Sequence, residues 1–330
     1  MKRTITTIIM LLSVAIAAFA QIRVVTPSTE MVLSARPGGD LQIQYFGGRL
    51  SDADAENLMA AGAARHSAYR AYGLGCASEA SLGVTHADGN MSTSLRVESV
   101  DKVSEPSAEV VRIRMKDTVY PFYVTVCYRA YQDVDMIETW TEIENLEKKP
   151  VTLTRFDSGS LPVRVGDVWL SHLHGTWASE GRLVQEPLER GMMVIKNKDG
   201  SRNSHTDHSE VMFSLDGKPQ ENAGRVIGAA LCYSGNYELR IDTKDTDYHE
   251  FFAGINPDNS AYILESKEIF KTPELAFTYS EEGLSGASRN FHRWGRKYKL
   301  AHGDKERKIL LNSWEGVYFD INEPGMDQMM

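Results

Sequence analysis

The histidines of this sequence are candidate metal ligands or catalytic groups, because four of them occur in two close pairs. His205 and His208 are three residues apart, a spacing at which both could bind one metal ion if they lay on a helix. They follow the turn-forming sequence DGS at 199–201, so we predict a loop here and no metal site. His172 and His174 alternate along a predicted strand and share one face, which favours structural roles. We expect neither a metal nor another cofactor.

Four other residues could recognise a ligand that is rich in hydroxyl groups. Asp88 lies in the sequence HADGN at 86–90, where Asp-Gly predicts a turn, and a charged carboxylate there would accept strong hydrogen bonds. Asn90 is a weaker companion in the same turn. Trp177 and Trp314 each offer an apolar ring face and an N–H donor. Taken alone, a hairpin turn explains Asp88, and packing explains either tryptophan at least as well.

The elements that would position these residues are mostly short strands. Between residues 21 and 280, β-branched and alternating runs are separated by turn sequences such as DSG at 157–159. The predicted strands are 110–116, 123–131, 136–143, 151–156, 163–169, 192–196, 211–215, 226–233 and 237–242. An Ala-rich exception at 52–72 is either a short helix or an ordered loop. Many short strands with regular turns predict a mainly β chain built as a large antiparallel sandwich.

The pattern changes near residue 280. Residues 285–300 place apolar side chains at helical spacing after Ser280, a good N-cap residue. The apolar run ILLNSW at 309–314 then predicts a buried strand, and NEP at 322–324 predicts the start of another helix. A strand, a loop and a helix start are the opening of an α/β unit.

These observations divide the chain into four segments. We predict a signal peptide over 1–20, a large β-sandwich over 21–280, a helical linker over 281–307, and the first βα unit of a truncated α/β domain over 308–330, which the family resemblance given below implies to be a β-supersandwich and a barrel. A single strand and part of a helix cannot bury their own apolar surface. We therefore expect the natural chain to continue beyond Met330.

The first twenty residues predict export. They have a basic start, a short apolar run and small residues before Gln21, where we expect cleavage to release a secreted or periplasmic protein. The apolar run is too short to span a bilayer. The formal charge of −9 falls to about −11 once Lys2 and Arg3 are removed. Nucleic acids and anionic membranes are bound through Lys and Arg, so we expect neither as a partner.

The cysteines add little chemistry. Their number is three, which is odd and does not indicate a disulfide-stabilised fold. Cys127 and Cys232 lie in apolar runs and are predicted to be buried free thiols, whereas no role is predicted for Cys76.

Several motifs, taken in order, resemble family 36 of the glycoside hydrolases, the bacterial α-galactosidases. GTWASE at 175–180 resembles the family's Gly-x-Trp-x-x-Glu segment, and NSWEGVYFD at 312–320 resembles its first barrel-strand motif. GINP at 254–257, TPE at 272–274 and SRNFH at 288–292 lie between them in the family's order. The resemblance runs from about residue 43 to Met330.

This resemblance implies a β-supersandwich followed by a (β/α)₈ barrel that hydrolyses terminal α-linked galactose. It also implies a retaining mechanism with one Asp as nucleophile and another as acid/base, both on later barrel strands. No catalytic residue is therefore expected within 1–330, and neither Glu315 nor Asp320 is assigned that role. The expected partners are an α-galactoside oligosaccharide or polysaccharide and further copies of the chain in a homo-oligomer.

The resemblance gives four residues a role in substrate binding. Trp314 ends the first barrel strand, and active sites of such barrels form at the strand ends. Trp177 matches a family Trp on a loop that reaches an active site, often that of a neighbouring subunit. Asp88, with Asn90 beside it, resembles a family Asp that accepts hydrogen bonds from galactose hydroxyls. Many relatives read Gly-x-Gly-Asp-x-Arg where this sequence reads HADGN.

Two alternatives stay open at this point. The same fold could act on α-N-acetylgalactosamine or transfer galactose between sugars. The chain could also be a non-catalytic module that binds glycans or supports assembly, because a β-sandwich with exposed aromatic side chains is a suitable sugar platform.

Overall fold

The computed structural model describes residues 21–60, 66–73, 78–163, 166–202, 205–245 and 248–329. These residues form two compact units, one that ends at His292 and one that begins at Arg293. The predicted signal peptide, Cys76 and the part of the DGS-to-histidine loop at 203–204 lie outside the described residues.

The first unit is built almost entirely from strands, with one helix between the third and fourth strands and another after the last. The strands are β1 (Gln21–Val25), β2 (Thr29–Ala35), β3 (Leu41–Gly48), β4 (His66–Ser67), β5 (Leu82–Thr85), β6 (Leu95–Glu105), β7 (Ala108–Asp117), β8 (Phe122–Tyr131), β9 (Ile137–Asn145), β10 (Val151–Val163), β11 (Trp169–His174), β12 (Arg182–Pro187), β13 (Gly191–Lys196), β14 (Asp207–Ser214), β15 (Val226–Leu231), β16 (Tyr237–Asp245), β17 (Tyr248–Ile255), β18 (Tyr262–Leu264), β19 (Ile269–Lys271) and β20 (Leu275–Ser280). The helices are α1 (Asp52–Ala60) and α2 (Gly283–Trp294), the latter running into the π-helical turn Gly295–Lys299. None of the helices in the described part of the chain is long and apolar enough to cross a membrane.

The strands form three antiparallel sheets. One has four strands in the order β1-β2-β3-β4, and one has six, in the order β13-β16-β17-β10-β18 with β5 also paired to β10. The third has ten, in the order β12-β11-β14-β15-β20-β9-β8-β7-β6 with β19 also paired to β9. The predicted fold class, a mainly β antiparallel sandwich followed by a helix, is confirmed.

Aromatic side chains join the sheets into one core. Phe213 on β14 meets Phe251 on β17 edge-on at 5.2 Å between ring centroids, which connects the ten-stranded and six-stranded sheets. Phe277 on β20 meets Phe46 on β3 in the same way at 5.1 Å and adds the four-stranded sheet. Edge-to-face ring pairs of this kind contribute about 0.5–1.5 kcal/mol each beyond the area that they bury.

The predicted turn DSG at 157–159 is wrong, because β10 continues through it. The strand has a bulge between Asp157 and Gly159, and both residues lie in the interior. Gly159 is needed for close packing, since a Cβ there would lie 2.6 Å from Cγ2 of Thr139. Asp157 is retained in the core by Arg240, 2.7 Å from Oδ2 to Nη2. The next strand, β11, begins only at Trp169, so the predicted strand at 163–169 is also misplaced.

The two helix predictions for the end of the first unit and for residues 52–72 are largely confirmed. Helix α2 covers most of the predicted 285–300 helix, and Ser280 Oγ accepts the backbone N–H of Glu282 at 3.0 Å, just before the helix begins. Helix α1 occupies the start of the Ala-rich stretch, and residues 61–65 of that stretch are outside the described residues.

The second unit contains α3 (Trp314–Val317) and α4 (Glu323–Met329). Helix α4 starts where NEP predicts it, and Asn322 Oδ1 accepts the N–H of Gly325 at 2.9 Å. The strand predicted at 309–314 is wrong for this structure, because 309–313 is irregular with Ile309 and Leu310 fully exposed. A strand needs a neighbour for its backbone hydrogen bonds, and the described residues 293–329 contain no other strand.

The two described cysteines differ from each other. Cys127 on β8 is a buried free thiol, as predicted, and burial raises the pKa of its thiol to about 12. Cys232 is exposed, so the prediction of burial is wrong there. It follows the last residue of β15, where the chain leaves the sheet.

Candidate functional site

The first candidate site residue, Asp88, lies at the tip of the loop between β5 and β6. The Asp-Gly turn is confirmed: the N–H of Gly89 donates to the carbonyl of His86, and Gly89 has a φ of +89°. Such a φ favours glycine, because a side chain there is strained. Asp88 and Asn90 are both exposed, and Asp88 Oδ1 accepts the backbone N–H of Asn90 at 3.0 Å.

Tyr120, on the loop between β7 and β8, joins the two predicted residues. Its hydroxyl donates to Asp88 Oδ2 at 2.8 Å and accepts from Asn90 Nδ2 at 2.9 Å. The backbone N–H of Asn90 and the hydroxyl of Tyr120 lower the pKa of Asp88. The carboxylate therefore stays charged, which suits a hydrogen-bond acceptor and not an acid that donates protons.

A buried pair supports this loop from behind. The His86 ring stacks on Tyr120 with 3.8 Å between centroids, and its Nδ1 lies 2.7 Å from Oε1 of Glu147. The other ring nitrogen, Nε2, is 3.0 Å from Oγ1 of Thr93. Sequence reasoning missed Tyr120 and Glu147, because they follow Asp88 by 32 and 59 positions and nothing near it indicates them.

The second candidate, Trp177, lies on the tight connection between β11 and β12. Thr176 and Ser179 exchange backbone hydrogen bonds, and Ala178 has a φ of +60°. Gly175 is required at the start of this turn, since a Cβ would lie 2.5 Å from the carbonyl oxygen of Ser179. The turn leaves Trp177 79% exposed. Its ring face and indole N–H are therefore open to a ligand.

The Trp177 turn is tied to the segment that leads into β14. The N–H of Gly175 donates to the carbonyl of Thr206 at 2.7 Å, and His174 Nδ1 lies 2.7 Å from Oδ1 of Asp207. His172, two positions earlier on β11, lies 3.2 Å from a carboxylate oxygen of Glu186. His172 and His174 thus have pairing roles within the sheet, as the sequence predicts.

Trp314 belongs to the second unit and is described there by itself. It begins α3 and is 46% exposed. Its ring meets those of Tyr318 and Phe319 edge-on, at 5.4 and 4.9 Å between centroids. The structure therefore brings Asp88 and Asn90 together, holds Trp177 on a different loop of the same unit, and places Trp314 in an aromatic cluster of its own.

Two observations define the class of protein. Loops of an antiparallel sandwich present a charged acceptor with an amide and, on a separate loop, an exposed indole, and each of these groups can bind a hydroxylated ligand. Residues 39–265 match the glycosyl hydrolase family 36 N-terminal domain, and residues 269–330 match Melibiase. The chain belongs to glycosyl hydrolase family 36, as the motif resemblance predicts.

Similar proteins carry the name α-galactosidase. The chain is 32% identical over 222 residues to alpha-galactosidase AgaA of Geobacillus stearothermophilus, covering 66% of this chain and 30% of that protein. It is 28% identical over 221 residues to alpha-galactosidase Mel36A of Lactobacillus acidophilus, covering 66% and 30%. The chain thus spans about a third of the length of these relatives.

Solved structures extend the likeness to the whole fold. The crystal structure of AgaA from Geobacillus stearothermophilus superimposes with a TM-score of 0.81 at 25% identity, over 92% of this chain and 47% of that one. A variant of AgaA in complex with raffinose gives a TM-score of 0.83 at 25% identity, over 94% and 48%. Close to half of each solved chain therefore corresponds to the residues described above.

Proposed function

We propose that this chain is the amino-terminal part of an exported α-galactosidase that releases terminal α-linked galactose from oligosaccharides or polysaccharides. The observation that carries the proposal is the match of residues 39–265 to the family 36 domain, together with 32% identity to an α-galactosidase. The relative crystallised with raffinose, an α-galactoside, supports the same substrate class.

The proposed reaction is retaining hydrolysis by two carboxylates. One attacks the anomeric carbon while the other protonates the leaving oxygen, which requires the carboxyl groups to lie about 5–5.5 Å apart. We assign both to barrel residues outside 1–330. Asp88 is not a candidate acid, because its hydrogen bonds favour the charged form.

The proposed role of this chain in the reaction is binding. The Asp88 carboxylate and the Asn90 amide would accept and donate hydrogen bonds to sugar hydroxyls, while Trp177 and Trp314 would pack against the C–H faces of sugar rings. Export after cleavage before Gln21 and assembly into a homo-oligomer complete the proposal. Both are supported by the sequence pattern and the family resemblance.

The experiment that tests this function is hydrolysis by the protein expressed from the complete gene. An aryl α-galactoside should release its phenol with retention of configuration at the anomeric carbon, observed by NMR in the first turnovers. Cleavage of an aryl α-N-acetylgalactosaminide in preference would favour the alternative substrate. A folded protein that hydrolyses neither, yet binds raffinose in a calorimeter, would favour the glycan-binding module.

A further inference from the structure

A cleft beside the Trp177 turn has no role in the function proposed so far. It is an open surface cleft of about 560 Å³, lined by Glu180, Gly181, Arg202, His205 and His208. Glu180 and Gly181, at the end of the β11–β12 turn, form one side of the cleft, and Arg202, His205 and His208 form the other. A volume of this size is within the range of small-molecule sites, about 300–1,000 Å³.

The β11–β12 turn is tied to the described residues between His205 and His208. The N–H of Gly175 donates to the carbonyl of Thr206, and His174 Nδ1 lies 2.7 Å from Oδ1 of Asp207. The Glu180 side chain is held as well, because its Oε1 accepts the N–H of Ala178 at 3.0 Å. A site that is already ordered loses less conformational entropy when a ligand binds.

The charged groups of the cleft are available to a ligand. The backbone N–H of Glu180 itself and that of Ala178 lower the pKa of the Glu180 side chain, so Glu180 presents a charged carboxylate. Among the residues that the structure describes, Arg202 is exposed and forms no ion pair with a carboxylate. Glu180 and Arg202 thus place one acceptor and one cationic donor on the same cleft, and their formal charges cancel.

We propose that this cleft binds one hexose unit of an oligosaccharide, with Glu180 accepting and Arg202 donating hydrogen bonds to its hydroxyls. Trp177 lies on the same turn as Glu180 and is 79% exposed, so its ring would be free to pack against the sugar's C–H side. A balanced acceptor and donor beside an aromatic ring suit a neutral sugar better than an anion. The inference rests on the proposed function and adds residues for substrate units other than the reacting galactose.

The test compares two substrates of the protein expressed from the complete gene. Arg202→Ala and Glu180→Gln should each raise the KM for raffinose by about 10-fold, the effect of losing one charge-assisted hydrogen bond. An aryl α-galactoside has no second hexose, so its KM should stay within about twofold by the same reasoning. Arg190→Ala is the matched control, because Arg190 is an exposed arginine beyond the opposite end of β12. It should change neither constant.

Two results would overturn the cleft proposal. Unchanged KM values for raffinose in both variants would show that the cleft contacts no sugar unit. Equal losses on both substrates would show that Arg202 and Glu180 act on folding or on the reacting galactose. If the unaltered protein hydrolyses neither substrate, the proposed function fails by itself. The cleft is then tested by titrating raffinose into the unaltered protein and Arg202→Ala, and equal heats would reject it.

Discussion

Replacing Asp157 with Asn should destabilise the first unit, because the change removes a carboxylate oxygen that accepts from Arg240. Burial raises the pKa of the Asp157 carboxyl, and the neighbouring guanidinium groups oppose that rise. Asp157 accepts two hydrogen bonds from the Arg240 guanidinium, at 2.7 and 3.2 Å, and the two side chains are 2% and 4% exposed. Glu238 also accepts from Arg240 at 2.9 Å, so the cation would keep one carboxylate. Removing one partner of a buried ion pair costs about 3–5 kcal/mol when the other charge is left unpaired. Because Glu238 still pairs with Arg240, we expect a loss at the lower end of that range, about 3 kcal/mol.

The assay is urea unfolding followed by tryptophan fluorescence, with Asp216→Asn as the matched control. Asp216 and Arg225 form a similar bidentate ion pair, but their side chains are 40% and 45% exposed. Solvent screens such a pair, so the control should lose less than about 1 kcal/mol. If Asp157→Asn loses no more than Asp216→Asn, the buried pair is not required and the reasoning is refuted. A double change of Asp157→Leu with Arg240→Met should recover part of the loss, since no unpaired charge remains.

Three further predictions concern acid stability, the Asp88 loop and thiol reactivity. Burial disfavours the charged form of Glu250, but hydrogen bonds and ion pairs outweigh burial and lower the pKa of Glu250 to about 2. The carboxylate therefore adds to the free energy of unfolding above pH 4.5, and this stabilisation is lost as the pH falls towards 2. This contribution is about 3 kcal/mol, so Glu250→Gln should show a smaller stability loss between pH 7 and pH 3 in urea titrations; equal losses would contradict it. Asp88→Ala should raise the KM for an aryl α-galactoside by about 10-fold, and Tyr120→Phe by less, because only the support of Asp88 is removed; unchanged constants would exclude Asp88 from the galactose site. An alkylating reagent at pH 8 should modify Cys232 but not Cys127 in the folded protein, as mapped by mass spectrometry, and labelling of both at one rate would contradict the burial.

Strands with a clear alternation could be predicted from the sequence, and interruptions of that pattern could not. The alternating run at 110–116 became β7, and its neighbours became β8 and β9, because each could bury a complete row of side chains. The DSG sequence has the composition of a turn, yet Arg240 compensates the buried Asp157 from 83 positions away. Local composition contains no trace of such a partner.

The exposed residues of the candidate site were also easier to predict than the residues that hold them in place. Asp-Gly is a turn sequence by itself, so Asp88 could be placed on a loop tip. Tyr120 and Glu147 come from other loops and were missed. The strand predicted at 309–314 failed for a related reason, because a strand forms only with a neighbour and its own residues do not specify one.

The loops that carry Asp88 and Trp177 are supported in the same way, and this support affects how the chain could bind sugar. Each tip presents an exposed group, Asp88 or Trp177, and each has a histidine–carboxylate pair at 2.7 Å at its base. In the Asp88 loop the pair is buried and stacks against the tyrosine that contacts the tip. Hydrogen bonds to a neutral sugar in water are individually weak, so a loop that had to be ordered on binding would lose most of their benefit. Fixing both tips before the ligand arrives removes that cost. Weakening a pair at the base, for example by Glu147→Gln, should therefore reduce sugar affinity, although Glu147 is buried below the loop tip.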